Sequence, residues 1–131
     1  MKLPPDTDPK PTAAELEILH VLWLRDGCTV REVHDVLRPS DSTGYTTTLK
    51  LMQLMHAKGL VERDDAQRAH VYRPTVSKER TQKRFLLDMV QRVFDGSSSQ
   101  LVLHALGSQH ASREELRAIR TLLNKLDKDA S

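Results

Sequence analysis

A capping box occurs three times in this sequence, and each copy marks the start of a helix. In this motif a Ser or Thr hydroxyl accepts a hydrogen bond from the backbone N–H three residues later. A Glu at that later position accepts one from the first residue's own N–H. The pattern is present at Thr12–Glu15, Thr29–Glu32 and Ser112–Glu115. The sequence therefore predicts helices that begin near residues 13, 30 and 113.

The first two of these helices follow each other closely, and each has an apolar face. The first is predicted over residues 13–25, and Gly27 is placed to end it. The second is short, residues 30–37, and is closed by Arg38-Pro39. The residues predicted to face the core are Leu16, Leu19, Val21, Leu22 and Trp23 in the first helix, and Val30, Val33, Val36 and Leu37 in the second.

A third helix is predicted within residues 42–58, capped by Ser42 or Thr43. Steps of three and four residues divide it into two faces. The predicted inner face holds Tyr45, Leu49, Met52, Met55 and His56, and the predicted outer face holds Thr46, Thr47, Lys50, Gln53 and Ala57.

The outer face of this third helix is free of carboxylates. No Asp or Glu occurs between Ser42 and Val61, although the chain has 18 acidic residues. Thr, Gln and Lys side chains are donors that hydrogen-bond phosphates and base edges. The stretch thus suggests a nucleic-acid contact, and an ordinary solvated helix face is the alternative for this segment taken alone.

After Gly59 the pattern changes from helical to alternating. Residues 60–63 and 70–73 read as two strands of a hairpin with a polar tip, and Pro74 ends the second strand. Three helices with a short second one, followed by a hairpin, predict a winged helix-turn-helix. From Ala66 to Lys78 the charged residues are Arg68, Arg73 and Lys78, so this part of the wing also lacks carboxylates.

The C-terminal part is predicted to form three apolar helices, at 78–94, at 101–106 and from residue 113 onward. Three such helices have few partners within one chain, so a second copy of the chain is expected to cover them. A small bundle within one chain is the alternative. The residues predicted to form the dimer interface are Phe85, Met89, Val93, Leu101, Val102, Leu106, Leu116, Ile119, Leu123 and Leu126.

Composition favours a mainly α protein with a small β-hairpin and excludes other classes. Aromatic residues are only 4% of the chain, and the formal net charge is +2, far from that of a polycation. The single Cys28 excludes a disulfide framework and a cysteine zinc cluster, and a redox switch there is the alternative to a buried structural thiol. The six histidines lack metal-ligand spacing and no catalytic motif occurs, so we expect no enzyme activity, metal or cofactor.

The predicted organisation has three parts. Residues 1–11 contain four of the six prolines and are expected to form a flexible arm, followed by a DNA-binding winged helix at 12–76 and a helical dimerisation domain at 77–131. No apolar run approaches the length of a membrane span, and the N-terminus lacks a secretory signal. We therefore expect no membrane insertion and a cytoplasmic location.

Six segments of the chain carry a resemblance to a known family. They are Leu19–Trp23, Thr29–Val33, Tyr45–Thr47, Lys58–Val61, Val71–Pro74 and Phe94–Ser97. In order and in spacing they resemble the motifs of the penicillinase-repressor family of BlaI, MecI and CopY type. The resemblance covers residues 12–126 and implies a homodimeric winged-helix repressor that controls antibiotic resistance, binds a dyad-symmetric operator and is released by an inducing signal.

A DNA site follows from the predicted geometry. The third helix would lie in a major groove of the operator, while the wing and the start of the next helix would hold the adjacent backbone. The predicted DNA-binding residues are Thr43, Tyr45, Thr46, Thr47, Lys50, Gln53, Arg68 and Lys78. The alternative function is a winged-helix module that binds another protein through the same face.

The mechanism of release is less well marked in the sequence. In penicillinase-type family members, release follows proteolysis at an Asn-Phe bond in the helix that matches residues 101–106. Here the matching pair is His104-Ala105, so cleavage by a sensor membrane metalloprotease is an expectation from the resemblance alone. The C-terminal cysteine cluster of the copper-responsive branch is absent from this chain, which excludes metal sensing of that kind.

Overall fold

The structure is a computed structural model that describes residues 10–38, 44–108 and 110–130. The predicted fold class is confirmed: three helices and an antiparallel hairpin form a winged helix, and further helices follow. In chain order the elements are α1 (Ala13–Arg25), α2 (Val30–Leu37), α3 (Tyr45–Lys58), β1 (Val61–Asp64), β2 (Val71–Pro74), α4 (Lys78–Arg92), α5 (Ser98–Ser108) and α6 (Arg113–Ala130).

The chain divides into two compact units, Met1–Leu86 and Leu87–Ser131. The division falls inside α4, whereas the sequence predicts a functional boundary just before that helix. The predicted limits of the arm, the DNA-binding domain and the dimerisation domain remain predictions. Of the predicted arm, residues 1–9 lie outside the described part, and the ammonium of Lys10 lies 5.0 Å from the centroid of the Phe85 ring.

All three predicted capping boxes are present. At the start of α1, Thr12 N donates to Glu15 Oε1 at 2.9 Å, and Glu15 N donates to Thr12 Oγ1 at 3.2 Å. The same pair of hydrogen bonds begins α2 at Thr29 and α6 at Ser112. The hydrogen bond from the backbone N–H of Thr29 holds the pKa of the Glu32 carboxyl below its ordinary value.

Three predicted helix limits were wrong. Helix α4 ends at Arg92 and not at residue 94. Helix α3 begins at Tyr45 with Gly44 as its N-cap, so the cap is neither Ser42 nor Thr43, both of which lie outside the described residues. Helix α5 extends over Ser98–Ser108 and not 101–106, since the Ser97 hydroxyl accepts a hydrogen bond from Gln100 N at 3.2 Å. Polar serines thus form the first turn of a helix that was predicted from its apolar residues alone.

The core of the first unit lies between α1, α2, α3 and the hairpin. Two predicted core residues were wrong, because the side chains of Val36 and His56 are exposed. Four polar residues of this unit are buried: Glu15, His34, Thr48 and Thr81. The largest fully buried apolar side chains are Ile18, Leu19, Leu22, Met52, Met55, Leu60 and Tyr72.

A short backbone bridge joins the hairpin to the loop before α2. Cys28 N donates to Tyr72 O at 3.0 Å, and Tyr72 N donates to Cys28 O at 2.8 Å. The preceding Gly27 has φ +108°, a conformation that L side chains rarely adopt. Burial raises the pKa of the Cys28 thiol, which favours the structural role over the redox switch.

Helices α5 and α6 contain no buried residue in the described structure. The exposed apolar side chains of these helices, of α4 and of the turn that follows α4 include Leu86, Leu87, Met89, Val93, Val102, Leu103, Leu106, Leu116, Leu122, Leu123 and Leu126. None of the helices in the described ranges is long and apolar enough to cross a membrane. Those ranges also contain no group of His, Cys, Asp and Glu side chains that could hold a metal ion.

Candidate nucleic-acid interface

Helix α3 has one buried face and one exposed face. Its buried residues are Thr48, Met52 and Met55, which pack into the core. The opposite face presents four of the eight side chains predicted to contact DNA, and all four are exposed: Thr46, Thr47, Lys50 and Gln53. The exposed face carries no carboxylate over the length of the helix.

The first turn of α3 is held by α2 through an aromatic and polar cluster. The Tyr45 ring contacts two side chains of α2: the guanidinium of Arg31 lies 4.6 Å from its centroid, and the ring of His34 lies 5.8 Å away at an interplanar angle of 84°. His34 Nδ1 is 3.1 Å from Thr48 Oγ1, and Thr48 Oγ1 donates to Gly44 O at 3.3 Å. Tyr45, predicted to contact DNA, is thus also a packing residue that orients α3.

The last turn of α3 is held by α1 through an ion pair. Lys58 Nζ lies 3.0 and 2.8 Å from the two carboxylate oxygens of Glu15. Burial alone would raise the pKa of Glu15, but the hydrogen bonds from Lys58 and Thr12 outweigh burial and lower it. Both ends of α3 are therefore anchored, and its exposed face is held in one orientation.

A groove of about 330 Å³ lies between the start of α2, α3 and the hairpin. No Asp or Glu is among the described residues that line it. Its polar lining comes from all three elements and consists of Thr29, Arg31, Tyr45, Gln53, Arg63, Arg68, His70 and Tyr72. The groove is therefore cationic.

The charges of the hairpin are partly neutralised within the hairpin itself. Arg63 Nε donates to Asp65 Oδ1 at 2.7 Å, and this hydrogen bond, with a second one to Tyr72, raises the pKa of Arg63. His70 Nδ1 lies 3.4 Å from the same Asp65 oxygen. Arg31 and Arg68 form no ion pair within the described part of the chain. These two arginines are therefore the available cations of the groove.

The structure places the predicted DNA-binding residues in three surroundings. Tyr45, Gln53 and Arg68 share the cationic groove. Thr47 lines a different depression that contains both Glu17 and Arg38. Of the remaining predicted residues, Thr46 and Lys50 are exposed on α3, Lys78 is exposed at the start of α4, and Thr43 lies outside the described residues.

Sequence reasoning missed Arg31 and Arg63 as residues of this surface. Arg31 follows the cap of α2 by two positions, and a basic residue there could have been noted as exposed. Its stacking on Tyr45, 14 positions further along, has no sequence signature. Arg63 was placed in the predicted strand without a role.

The residue pair predicted as a cleavage site lies within α5. His104 and Ala105 are both exposed, and the His104 ring lies 5.6 Å from that of Phe94. The bond between them belongs to a regular helix, so a protease could reach it in extended form only after local unwinding. Its role in release remains a prediction.

Comparison with known proteins relates both parts of the chain to regulators. The model of a family described as penicillinase repressor matches residues 11–125. The chain is 19% identical over 114 residues to the methicillin resistance regulatory protein MecI of Staphylococcus aureus (strain N315), covering 87% of this chain and 93% of that protein. It is 29% identical over 115 residues to the transcriptional regulator BlaI of Mycobacterium tuberculosis (strain ATCC 25618 / H37Rv), covering 86% of this chain and 82% of that protein. Both relatives are named as regulators, and neither name describes an enzyme.

Proposed function

The chain belongs to the penicillinase repressor family, a family of transcriptional repressors, and we propose that it acts as a homodimer that binds a dyad-symmetric DNA operator. Helix α3 would enter the major groove and the hairpin would lie against the adjacent backbone. The single observation that carries this proposal is the exposed face of α3, free of carboxylates and anchored at both ends.

The two anchors of α3 support a role of its exposed face in base recognition. Base recognition requires side chains held in a fixed register on the duplex, since a small displacement loses the hydrogen bonds to base edges. The Tyr45 cluster fixes the first turn of α3, and the Lys58–Glu15 ion pair fixes the last. Between them, Thr46, Lys50 and Gln53 lie at steps of four and three residues, on one stripe of the helix.

The exposed apolar side chains of α4, α5 and α6 support the homodimer. Leu122, Leu123 and Leu126 of α6 are 55%, 53% and 54% exposed, and no residue of α5 or α6 is buried in the described structure. An apolar surface of this extent on a single chain indicates a protein partner. A second copy of the same chain would supply the two-fold symmetry that an operator of two equivalent half-sites requires.

Derepression would follow an inducing signal that separates the dimer from its operator. Cleavage at His104-Ala105 by a sensor membrane metalloprotease is the proposed route, and it would remove α6 from the winged helix. Loss of α6 would weaken the dimer and, with it, the simultaneous occupation of two half-sites. Control of antibiotic resistance genes is the proposed setting, from the names of the relatives.

The experiment that tests the function is equilibrium binding of the full-length protein to DNA from upstream of its own gene, followed by fluorescence anisotropy. Three phosphate contacts per subunit, for example from Lys50, Arg68 and Lys78, give six per dimer. The affinity should then fall about a thousandfold between 50 and 200 mM salt, with a slope near −5 in log affinity against log salt.

A sequence-specific complex with this salt dependence would support the repressor. A dimer that binds the upstream DNA no better than unrelated DNA of equal length would contradict it, and would favour the module that binds another protein through α3.

A further inference from the structure

The cationic groove between α2, α3 and the hairpin lies beside the exposed face of α3, and base recognition by that face does not account for the groove. We propose that this groove binds one phosphodiester of the operator backbone in each half-site, and that Arg31 of α2 is its principal ligand. The inference rests on the proposed function, because it assumes that the protein binds DNA.

The geometry of Arg31 is that of a preorganised anion ligand. Its guanidinium lies over the Tyr45 ring, 4.6 Å from the ring centroid, and the same ring contacts the ring of the buried His34. Stacking on an aromatic ring restricts the guanidinium and leaves its N–H groups free to form a planar fork. Such a fork matches two oxygens of one phosphate, so little conformational entropy would be lost on binding.

The groove offers further ligands from the other two elements. Gln53 of α3 and Arg68 of the hairpin line it together with Arg31, so an anion in the groove would be contacted from three sides. Arg63 and His70 also line it, but Asp65 forms an ion pair with Arg63 that offsets the charge of this arginine. With no Asp or Glu among the described lining residues, the uncompensated charge of the groove comes from Arg31 and Arg68.

The position of the groove indicates that the phosphate belongs to DNA. Gln53 lies on the same stripe of α3 as Thr46 and Lys50, so the groove borders the face proposed to read bases. A duplex whose major groove held that face would bring its backbone alongside α2 and the hairpin. Phosphate contacts of this kind fix the register of a protein on the duplex and leave base recognition to the helix.

The test is Arg31→Gln in the full-length protein, with Arg25→Gln as a matched control. Arg25 is an exposed arginine at the end of α1 that does not line the groove. Operator affinity of Arg31→Gln should fall at least about tenfold in 50 mM salt. Its salt slope should decrease in magnitude by about 1.8, which is 0.9 for each subunit of the dimer. Arg25→Gln should keep the wild-type slope.

Neutral methylphosphonate linkages, placed one at a time along the operator, distinguish a phosphate contact from a structural effect. One linkage in each half-site should weaken the wild-type complex more than the complex of Arg31→Gln, in which only Gln53 and Arg68 remain to contact that phosphate. If every linkage weakens both proteins equally, or if the slope of Arg31→Gln equals that of the wild type, Arg31 is not a phosphate ligand and the repressor function stands. Failure of the wild-type protein to bind any operator would instead overturn the proposed function.

Discussion

Replacing Lys58 with Met should destabilise the winged helix in a pH-dependent way. In the folded protein Lys58 Nζ donates to both oxygens of Glu15, whose side chain is only 1% exposed. Methionine keeps the length and the apolar stem of the lysine but removes the ammonium. The variant therefore leaves a buried carboxylate that still accepts a hydrogen bond from the backbone N–H of Thr12.

The size of the effect follows from the exposure of the two partners. Breaking a fully buried ion pair costs about 3–5 kcal/mol, and breaking an exposed one costs about 0–1 kcal/mol. Glu15 belongs to the first case, but Lys58 is 42% exposed, so solvent already screens part of the attraction. We expect the free energy of unfolding to fall by about 2 kcal/mol, which lowers the urea midpoint by about 1 M.

The pH dependence of the loss identifies its cause. The pKa of Glu15 in the folded protein lies below its ordinary value of 4.5, so the ion pair contributes stability above about pH 4.5. This contribution disappears as the pH falls through the folded pKa, because the protonated carboxyl has no charge for Lys58 to balance. The wild-type protein and Lys58→Met should therefore differ most near pH 7 and converge in acid.

The assay is urea denaturation followed by the fluorescence of Trp23, the single tryptophan of the chain, at one fixed protein concentration. Trp23 lies in the same unit, and its Nε1 donates to Val76 O at 2.9 Å. Asp65→Asn, which removes an exposed ion pair from the hairpin, is the control and should leave the midpoint nearly unchanged. Equal midpoints for Lys58→Met and wild type at pH 7, or a difference that persists in acid, would refute the reasoning.

Two further substitutions test the bridge to the hairpin and the dimer. Gly27→Ala should lower the free energy of unfolding by about 1–3 kcal/mol in urea denaturation, since Gly27 has φ +108° and its new Cβ would lie 3.1 Å from a side chain of β2. Gly107→Ala, with open space around it, should not destabilise, and an equal loss in both would contradict the account. The double variant Leu123→Glu, Leu126→Glu should weaken dimerisation at least about a hundredfold in analytical ultracentrifugation. Leu24→Glu, at an 85% exposed leucine of the first unit, should leave it unchanged, and an unaltered dimer in the double variant would exclude α6 from the interface.

Local interactions explain which parts of the fold were predictable. The capping boxes involve residues three positions apart, and they gave the starts of α1, α2 and α6. The change from helical to alternating period gave the hairpin to within one residue, at Val61–Asp64 and Val71–Pro74. These signals depend on residues close in sequence, so they can be recognised without knowledge of the tertiary structure.

The features that sequence reasoning missed depend on residues far apart in the chain. The Glu15–Lys58 ion pair spans 43 positions, and the Cys28–Tyr72 bridge joins a loop to a strand through a single residue pair. Neither leaves a periodic pattern. The first of these contacts holds the last turn of α3 against α1, whereas the existence of α3 was predictable from local sequence.

The error over the inner face of α3 has the same origin. His56 was predicted to lie on the inner face of α3, beside Met55. Its side chain is exposed, and the polar side chain of Thr48 is buried. Thr48 is tolerated there because its hydroxyl has two partners, His34 Nδ1 and Gly44 O. The polarity of a residue alone does not show whether another helix supplies a buried hydrogen-bond partner for it.

The central claim is that the exposed face of α3 reads the operator, and the most direct test compares Lys50→Ala and Thr47→Ala with wild type. Lys83→Ala, at an exposed lysine of α4, is the control that removes the same charge as Lys50→Ala elsewhere. In titrations against operator and against unrelated DNA, each α3 variant should lose about 1–3 kcal/mol of operator binding free energy or of the difference in binding free energy between the two DNAs. Lys83→Ala should bind both DNAs as the wild type does. Wild-type affinity and specificity in both α3 variants would contradict the assignment of this face.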